Sequence, residues 1–261
     1  MKLRLLLRCG VLVLAAVISY SGYQLWSINQ EYAREAEMHS RLLQYRPQPQ
    51  TVHVTSASHT PPLEFAELPE QPAGPAVNQS FINLQAMYPD VVGWLTIPNT
   101  QIDYPFAQSH DNDFYLRRDL DQNAAQAGTI FMDYRNSSSF SDFNTVIFGH
   151  NMKNGSMFGT LKDFNDQTFF DNNRTGIIFL ADETYEIEFM AFSVIKPDDP
   201  VIYNPNIVSE ADKLNFLEYV RNTARYYKAI GATATDRIVT LSTCSYEFND
   251  ARMVLIGKLI N

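Results

Sequence analysis

Cys244, Arg252 and His150 are the residues of this 261-residue chain whose types and spacing suit covalent chemistry. Cys244 ends the β-rich run Ile238–Thr243, and Arg252 opens the return run Met253–Ile260. His150 ends another apolar run. A cysteine is nucleophilic as its thiolate, which a neighbouring base or cation stabilises, so the three side chains together would suit acyl transfer. From Cys244 and Arg252 alone, a buried strand cysteine and a solvated arginine are an equal alternative.

Five motifs extend over residues 78–261 and connect these residues to a known family. The first contains the cysteine and reads T-L-S-T-C at Thr240–Cys244. The other four are, in chain order, V-G-W-L-T-I-P-N-T-Q-I-D-Y-P at Val92–Pro105, N-D-F-Y-L at Asn112–Leu116, G-T-I-F-M-D-Y-R-N at Gly128–Asn136 and F-G-H-N-M-K-N-G-S-M-F at Phe148–Phe158. With its upstream histidine and later arginine, the chain resembles the sortases, cysteine transpeptidases of the Gram-positive surface. The set and order of the motifs resemble class B sortases most closely.

The resemblance implies a reaction and a role for each residue. The Cys244 thiolate would attack the threonine carbonyl of a C-terminal sorting motif in a surface protein, and an amine of the peptidoglycan precursor would resolve the thioester. His150 would serve as general acid and base, and Arg252 as the cation that stabilises the oxyanion or positions the substrate. The class also lines its peptide groove with residues that match Ser242, Asn112, Leu116, Ile202 and Tyr203 here.

Three alternatives share parts of this pattern. A hydrolytic cysteine peptidase uses water in place of the amine, and the two enzymes share the acylation step. A pilin-polymerising member of the family often carries an active-site lid and a second, C-terminal membrane segment. This sequence ends at Asn261 directly after a strand-like run, which favours wall anchoring. A membrane-tethered binding module would keep the fold without the chemistry, and the presence of all three reactive residues counts against it.

Composition and charge disfavour other kinds of partner. The formal net charge is -9, and the residues after position 60 carry 14 Lys and Arg against 26 Asp and Glu. An acidic domain disfavours a nucleic-acid partner. The chain has two cysteines, and Cys9 lies in the apolar N-terminal run that predicts a membrane anchor. Cys244 therefore has no disulfide partner outside the membrane. We expect no metal site and no cofactor, because the sequence contains no cluster of His and Cys residues.

Eight short β-rich runs separated by turn residues predict the fold of residues 78–261. We expect a mainly β, sortase-like fold, a closed eight-stranded barrel with an N-terminal helix. An amphipathic segment at Ala211–Tyr227 predicts a helix-bearing loop before the penultimate strand. The strands are predicted near 93–97, 102–106, 128–133, 144–149, 176–180, 185–195, 237–243 and 253–260.

The first 77 residues predict a membrane anchor and a stalk. Lys2, Arg4 and Arg8 flank an apolar run that reaches about Leu25, and about 20 helical residues span a hydrocarbon core of about 30 Å. We therefore expect residues 1–28 to form a single-pass anchor in the cell membrane, with a cytoplasmic N-terminus and an extracellular catalytic domain at 78–261. Residues 29–77 are helix-compatible and then rich in proline, which predicts an extracellular stalk.

Overall fold

The computed structural model of the chain describes residues 2–48, 78–204, 206–244 and 251–260. Within them lie the helices α1 (Lys2–Leu43), α2 (Gln79–Met87), α3 (Gln167–Asn172) and α4 (Glu210–Thr223), and short 3-10 helices at Tyr115–Arg117 and Gly159–Asn165. The strands are β1 (Val91–Thr96), β2 (Asp103–Ala107), β3 (Ile130–Met132), β4 (Asn144–Phe148), β5 (Thr175–Phe179), β6 (Thr184–Ile195), β7 (Tyr226–Tyr227), β8 (Arg237–Cys244) and β9 (Arg252–Ile260).

Eight of these strands form a closed mixed barrel. They follow the order β5-β1-β2-β3-β4-β8-β9-β6, and a further pairing between β5 and β6 closes the circle. The pairs β2–β3 and β4–β8 are parallel, and the other neighbouring strands run antiparallel. The two-residue strand β7 adds to β6 beside this circle. The predicted eight-stranded barrel is confirmed, and each predicted strand overlaps an observed one.

Alternating apolar side chains fill the barrel interior. Along β6, Tyr185, Ile187 and Phe189 recur at every second position and are at most 1% exposed. They share one buried cluster with Leu241 of β8 and Leu255 of β9. Burial of each such side chain stabilises the fold by about 1.5–3 kcal/mol. The packing therefore fixes β8 and β9 against β6, and with them the ends of both strands.

The predicted helix before the penultimate strand is α4, and it covers the outside of the barrel. Phe216 and Val220, one helical turn apart, are each 1% exposed and pack against the outward side chains of β9. The helix ends at Thr223, earlier than the predicted segment 211–227, because Tyr226–Tyr227 pair with β6 instead. α4 thus closes a second hydrophobic layer over the barrel wall.

α1 is one continuous helix whose two halves differ in their surroundings. Its large apolar side chains between Val11 and Ile28 are exposed, and by length and composition this half can cross a membrane. Leu42, near the other end, is 4% exposed and packs in one cluster with Phe81 and Leu84 of α2. The helical part of the predicted stalk therefore ends against the barrel. The proline-rich part, residues 49–77, lies outside the described residues.

Polar contacts fix the docked end of α1 to β2. The His39 ring stacks on Tyr104 with the ring centroids 4.2 Å apart, and its Nε2 lies 2.9 Å from the Asp103 carbonyl oxygen. Just after the helix, Nε of Arg46 lies 3.0 Å from Oδ1 of Asp103. Arg41 also forms an ion pair with Asp121, which lies between the 3-10 helix Tyr115–Arg117 and β3. Together these contacts hold the helix in one orientation on the barrel.

Candidate active site

The register of three adjacent strands brings His150, Cys244 and Arg252 to one edge of the barrel. β4 and β8 are parallel, with Phe148 paired to Ser242. His150 and Cys244 each follow these paired residues by two positions, so their backbones lie side by side where the two strands end. β9 runs antiparallel to β8 and pairs Arg252 directly with Cys244. Cysteine and arginine are eight positions apart in sequence, and the antiparallel pairing of β8 with β9 brings their backbones face to face.

A cavity of about 460 Å³ adjoins this edge and contains most of the predicted site. His150 and Arg252 line it, and four of the five predicted groove residues do so too, namely Asn112, Leu116, Tyr203 and Ser242. Its other charged lining residues are Arg135, Asp198 and Asp199. Among the described residues, no three His, Cys, Asp or Glu side chains lie close enough to hold a metal ion.

His150 is held through one ring nitrogen. Its Nε2 lies 2.6 Å from the carbonyl oxygen of Leu116. A carbonyl oxygen only accepts hydrogen bonds, so Nε2 carries the proton in this contact and Nδ1 is the nitrogen that can accept one. Leu116 belongs to the 3-10 helix Tyr115–Arg117, which positions this carbonyl at the cavity wall. The contact fixes both the tautomer and the orientation of the imidazole.

Gly128 packs directly against the same Leu116 carbonyl group. Its φ of +58° lies in the left-handed region that favours glycine, and a Cβ at this position would come within 2.6 Å of the carbonyl oxygens of Tyr115 and Leu116. The absence of a side chain at Gly128 thus allows the 3-10 helix to approach the start of β3. This close approach sets the position of the His150 partner.

Tyr203 and Ser242 are joined by a hydrogen bond across the cavity wall. The Tyr203 hydroxyl and Ser242 Oγ are 2.8 Å apart, and Ser242 is 1% exposed. Ile202, predicted beside them, does not line the cavity. It is 1% exposed and packs in the cluster beneath α4. The Ile202 carbonyl accepts a hydrogen bond from Asn144 Nδ2 at 3.0 Å, which fixes the backbone next to Tyr203 against β4.

An acidic residue anchors the segment that carries Tyr203. Oδ1 of Asp199 accepts hydrogen bonds from the backbone amides of Val201 and Ile202, at 3.0 and 2.8 Å. Its Oδ2 accepts from the Tyr219 hydroxyl of α4 at 2.5 Å. Burial and this hydrogen bond raise the pKa of Tyr219 to about 12. The wall that carries Tyr203 is therefore tied to α4 as well as to the barrel.

Arg135 lines the cavity and is paired with the buried Asp133; both lie in the motif Gly128–Asn136, which carried no prediction of a role for either residue. The buried Asp133 carboxylate accepts from Arg135 Nε at 2.9 Å and from Nη2 at 2.6 Å. Burial alone would raise the pKa of Asp133, but the hydrogen bonds from Arg135 outweigh it and lower that pKa. Asn112, a predicted groove residue, bonds to the same carboxylate and accepts from the Tyr134 amide at 3.1 Å. The acid–arginine spacing within D-Y-R after a strand was the available sequence signal.

Comparison with known proteins identifies the family. A family model described as the sortase domain matches residues 95–260. The chain is 40% identical over 187 residues to sortase B of Listeria monocytogenes serovar 1/2a, covering 70% of this chain and 75% of that protein. It is 29% identical over 187 residues to sortase B of Staphylococcus aureus, covering 70% and 76%. Among solved structures, sortase B from Bacillus anthracis in complex with AAEK1 aligns with a TM-score of 0.73 at 30% identity, covering 89% of this chain and 99% of that one. The chain therefore belongs to the sortase family and is a sortase enzyme of class B.

Proposed function

We propose that this enzyme cleaves a C-terminal sorting motif of surface proteins after threonine and transfers the new carboxyl end to an amine of the peptidoglycan precursor. The observation that carries the proposal is the register of β4, β8 and β9, which aligns the backbones of His150, Cys244 and Arg252 beside one cavity. These are the residue types that a thioester mechanism needs. The membership in class B of the sortases supports the same reaction.

The first half of the reaction is acylation. The Cys244 thiolate attacks the threonine carbonyl carbon, and the oxygen gains negative charge that the Arg252 guanidinium stabilises without exchanging a proton. The C–N bond then breaks, and protonated His150 gives a proton to the departing amine. Because Nε2 is bonded to the Leu116 carbonyl, Nδ1 is the nitrogen that transfers this proton. The products are a Cys244 thioester and the released C-terminal fragment.

The second half transfers the acyl group. The incoming amine attacks the thioester carbonyl and loses a proton to Nδ1 of His150, and the C–S bond breaks to regenerate the thiolate. Water in place of the amine would give hydrolysis through the same steps. The groove residues Asn112, Leu116, Tyr203 and Ser242 hold the peptide during both halves, since they line the cavity that adjoins the edge.

We also propose the cellular arrangement that this chemistry requires. The exposed apolar half of α1 anchors the enzyme as a single-pass membrane protein with Lys2, Arg4 and Arg8 on the cytoplasmic side. The division into an anchor at 1–28, an intervening segment at 29–77 and a catalytic domain at 78–261 follows. Confinement of enzyme, membrane-anchored substrate and lipid-linked amine to one surface raises their effective concentration without new contacts.

The test is cleavage of a panel of fluorogenic sorting-motif peptides by the full chain in detergent, with and without triglycine. We expect one peptide to be cut, triglycine to divert product into a ligated peptide, and Cys244→Ala to abolish both. Cys9→Ala is the matched control, since it removes the other cysteine of the chain and should leave the rate unchanged. Cleavage without ligation would replace the transpeptidase assignment by a hydrolase. Failure to cut any peptide, with Cys244 slow to alkylate, would refute catalysis.

A further inference from the structure

A second cavity lies between the docked half of α1 and the barrel. Its volume is about 540 Å³. One wall is the part of α1 from Glu31 to Leu42, and the other combines the start of β2, the loop before β3 and the segment after His150. Among the described residues, none lines both this cavity and the one at the reactive edge. The proposed reaction therefore gives this second cavity no role.

The charges that line the second cavity are predominantly negative. Five carboxylates line it, against two arginines and one histidine. The carboxylates are Glu31, Glu35, Glu37, Asp119 and Asp121, and the basic residues are Arg34, Arg41 and His39. Arg41 and Asp121 form an ion pair with each other, so four carboxylates remain against Arg34 and His39. This excess of negative charge favours a cationic ligand.

One of these carboxylates has a buried oxygen that lacks a donor. Oε2 of Glu31 is buried, and no donor among the residues that the structure describes gives it a hydrogen bond. A buried acceptor without a donor destabilises a fold, and a charged acceptor does so more strongly. Glu35 lies one helical turn further along α1, and its Oε1 is 3.4 Å from the Tyr104 hydroxyl. Glu31 and Glu35 thus present carboxylate oxygens to the cavity from the same face of the helix.

The rest of the lining indicates the kind of cation. Tyr32 and Tyr104 contribute aromatic rings. Apolar side chains complete the walls, namely Met38, Leu42, Pro105, Ile130, Met152 and Met157. A hard divalent metal ion prefers a shell of oxygen ligands, whereas an ammonium ion on an alkyl stem suits carboxylates combined with aromatic faces and apolar contacts. The N–H groups of such an ion would supply the donors that Glu31 lacks.

The cavity begins close to the proposed membrane boundary. Glu31 follows Ile28, the last large apolar residue of the exposed half of α1, by three positions, or about 4.5 Å along the helix. Two sources can therefore bring an ammonium group to this height, a soluble amine and the head group of a membrane lipid. Both sources present the same chemistry to Glu31 and Glu35.

We propose that the cavity between α1 and the barrel is a binding site for a primary ammonium group on an alkyl stem, with Glu31 and Glu35 as its acceptors. The site is independent of the proposed reaction, since its residues lie outside the reactive edge. It explains why α1 keeps a buried carboxylate oxygen that the described residues leave without a donor. A ligand held there would connect α1 to Met152 and Met157, which follow His150 in the chain.

Binding of two matched probes to the full chain in detergent tests the assignment. The first is aminopentanol, which has a terminal ammonium group, and the second is pentanediol, in which a hydroxyl replaces that group. Titration calorimetry should show binding of aminopentanol alone. Glu31→Gln with Glu35→Gln should raise the Kd of aminopentanol at least about tenfold. Glu183→Gln with Glu218→Gln removes two exposed carboxylates outside the cavity and should leave that Kd unchanged.

Thermal unfolding separates a ligand site from a purely structural one. Without a probe, Glu31→Gln should leave Tm unchanged or raise it, because the substitution removes a buried charge that has no partner among the described residues. A lower Tm would show that Glu31 stabilises the fold and would overturn the assignment. Absence of aminopentanol binding, equal affinity for the two probes, or a Kd that Glu31→Gln with Glu35→Gln leaves unchanged would overturn it as well.

Lipid nanodiscs distinguish the two sources of the ammonium group. The full chain is placed in phosphatidylcholine alone or in a mixture with phosphatidylethanolamine, whose head group carries the primary ammonium group that phosphatidylcholine lacks. A higher apparent Kd of aminopentanol in the mixture would show competition and assign the site to a lipid head group. An equal Kd in both lipids, still raised by Glu31→Gln with Glu35→Gln, would assign the site to a soluble amine.

Discussion

Substitution of Gly128 by alanine should impair catalysis by displacing the carbonyl oxygen of Leu116. A Cβ on Gly128 would lie 2.6 Å from the Leu116 oxygen, whereas ordinary van der Waals contact begins at 3.4 Å. One of the two must therefore move by about 0.8 Å. The Leu116 oxygen is the partner of His150 Nε2 at 2.6 Å, and the same displacement would stretch that hydrogen bond to about 3.4 Å. A bond of that length is weak, so His150 loses its fixed orientation.

The loss of folding stability in Gly128→Ala has two contributions that a control variant can separate. Left-handed backbone costs an alanine about 1–2 kcal/mol, and forcing a methyl group into a packed site costs about 1–3 kcal/mol more. Gly231 has a φ of +69°, but a methyl group there would meet nothing within 4 Å, so Gly231→Ala carries the first cost alone. In a domain of this size 1 kcal/mol lowers Tm by about 2–4 °C. We expect a loss of about 2–8 °C for Gly231→Ala and a clearly larger loss for Gly128→Ala.

The assay combines thermal unfolding of the full chain in detergent with peptide cleavage and alkylation of Cys244. A misplacement of about 1 Å can reduce a rate by about 100-fold, so Gly128→Ala should lose about 10- to 100-fold in kcat/KM at a temperature where the protein is folded. Gly231→Ala should keep the wild-type rate. Equal rates and equal Tm values for the two variants would refute the argument that Gly128 positions the His150 partner.

Three further predictions concern the cavity wall and the docked helix. Tyr203→Phe and Ser242→Ala should each weaken peptide binding, and the double variant should be less than additive by about 0.5–1.5 kcal/mol because both remove one hydrogen bond; strict additivity would contradict it. The pKa of Asp133 is held below its ordinary value of 3.8, so the stability that it contributes is present above about pH 4 and is lost as the pH falls through the lower folded value. Asp133→Asn should therefore lower Tm at pH 7, with the gap to wild type narrowing below pH 4; a gap that is constant with pH would be inconsistent with this linkage. Leu42→Ala should weaken docking of α1 by about 2–5 kcal/mol, measured as faster amide hydrogen exchange at the end of α1 with β8 amides as the unchanged reference; unaltered exchange would exclude a stabilising contact.

The barrel could be predicted from sequence because its strands follow a simple physical pattern. Runs such as that of β6 alternate apolar and polar residues, and only a pleated strand places such residues on one buried face. The reactive edge was also within reach, since the cysteine, histidine and arginine each stand at the end of such a run. The alignment of these three residues could not be predicted, because it depends on the parallel pairing of β4 with β8, which no local sequence pattern encodes.

Two features beside the cavity depend on the folded chain. Ile202 was expected in the groove from its place in the chain, but α4 covers it and turns its side chain into the second hydrophobic layer. The ion pair of Arg135 with Asp133 could not be predicted from the motif that contains both residues, because the burial of Asp133 is a property of the folded chain. The docked end of α1 did carry a signal: Met38, Leu42 and Tyr45 recur at helical spacing within a polar segment.

The docked helix gives the enzyme a geometry that a flexible tether would lack. Tyr45 and Phe81, on either side of residues 49–77, pack in the same cluster. With the apolar half of α1 as the proposed membrane anchor, the length of the proline-rich segment would therefore not set the height of the barrel above the bilayer. In this arrangement α1 would set both the height of the barrel and the direction in which its cavity faces. Each residue inserted between its apolar half and its docked half would raise the barrel by about 1.5 Å and rotate the cavity by about 100° about the helix axis. One inserted residue would thus turn the cavity away from its original direction, whereas a full turn of about four residues would nearly restore it. With α1 as the proposed anchor, the number of residues between its two halves would therefore set the direction in which the active-site cavity faces.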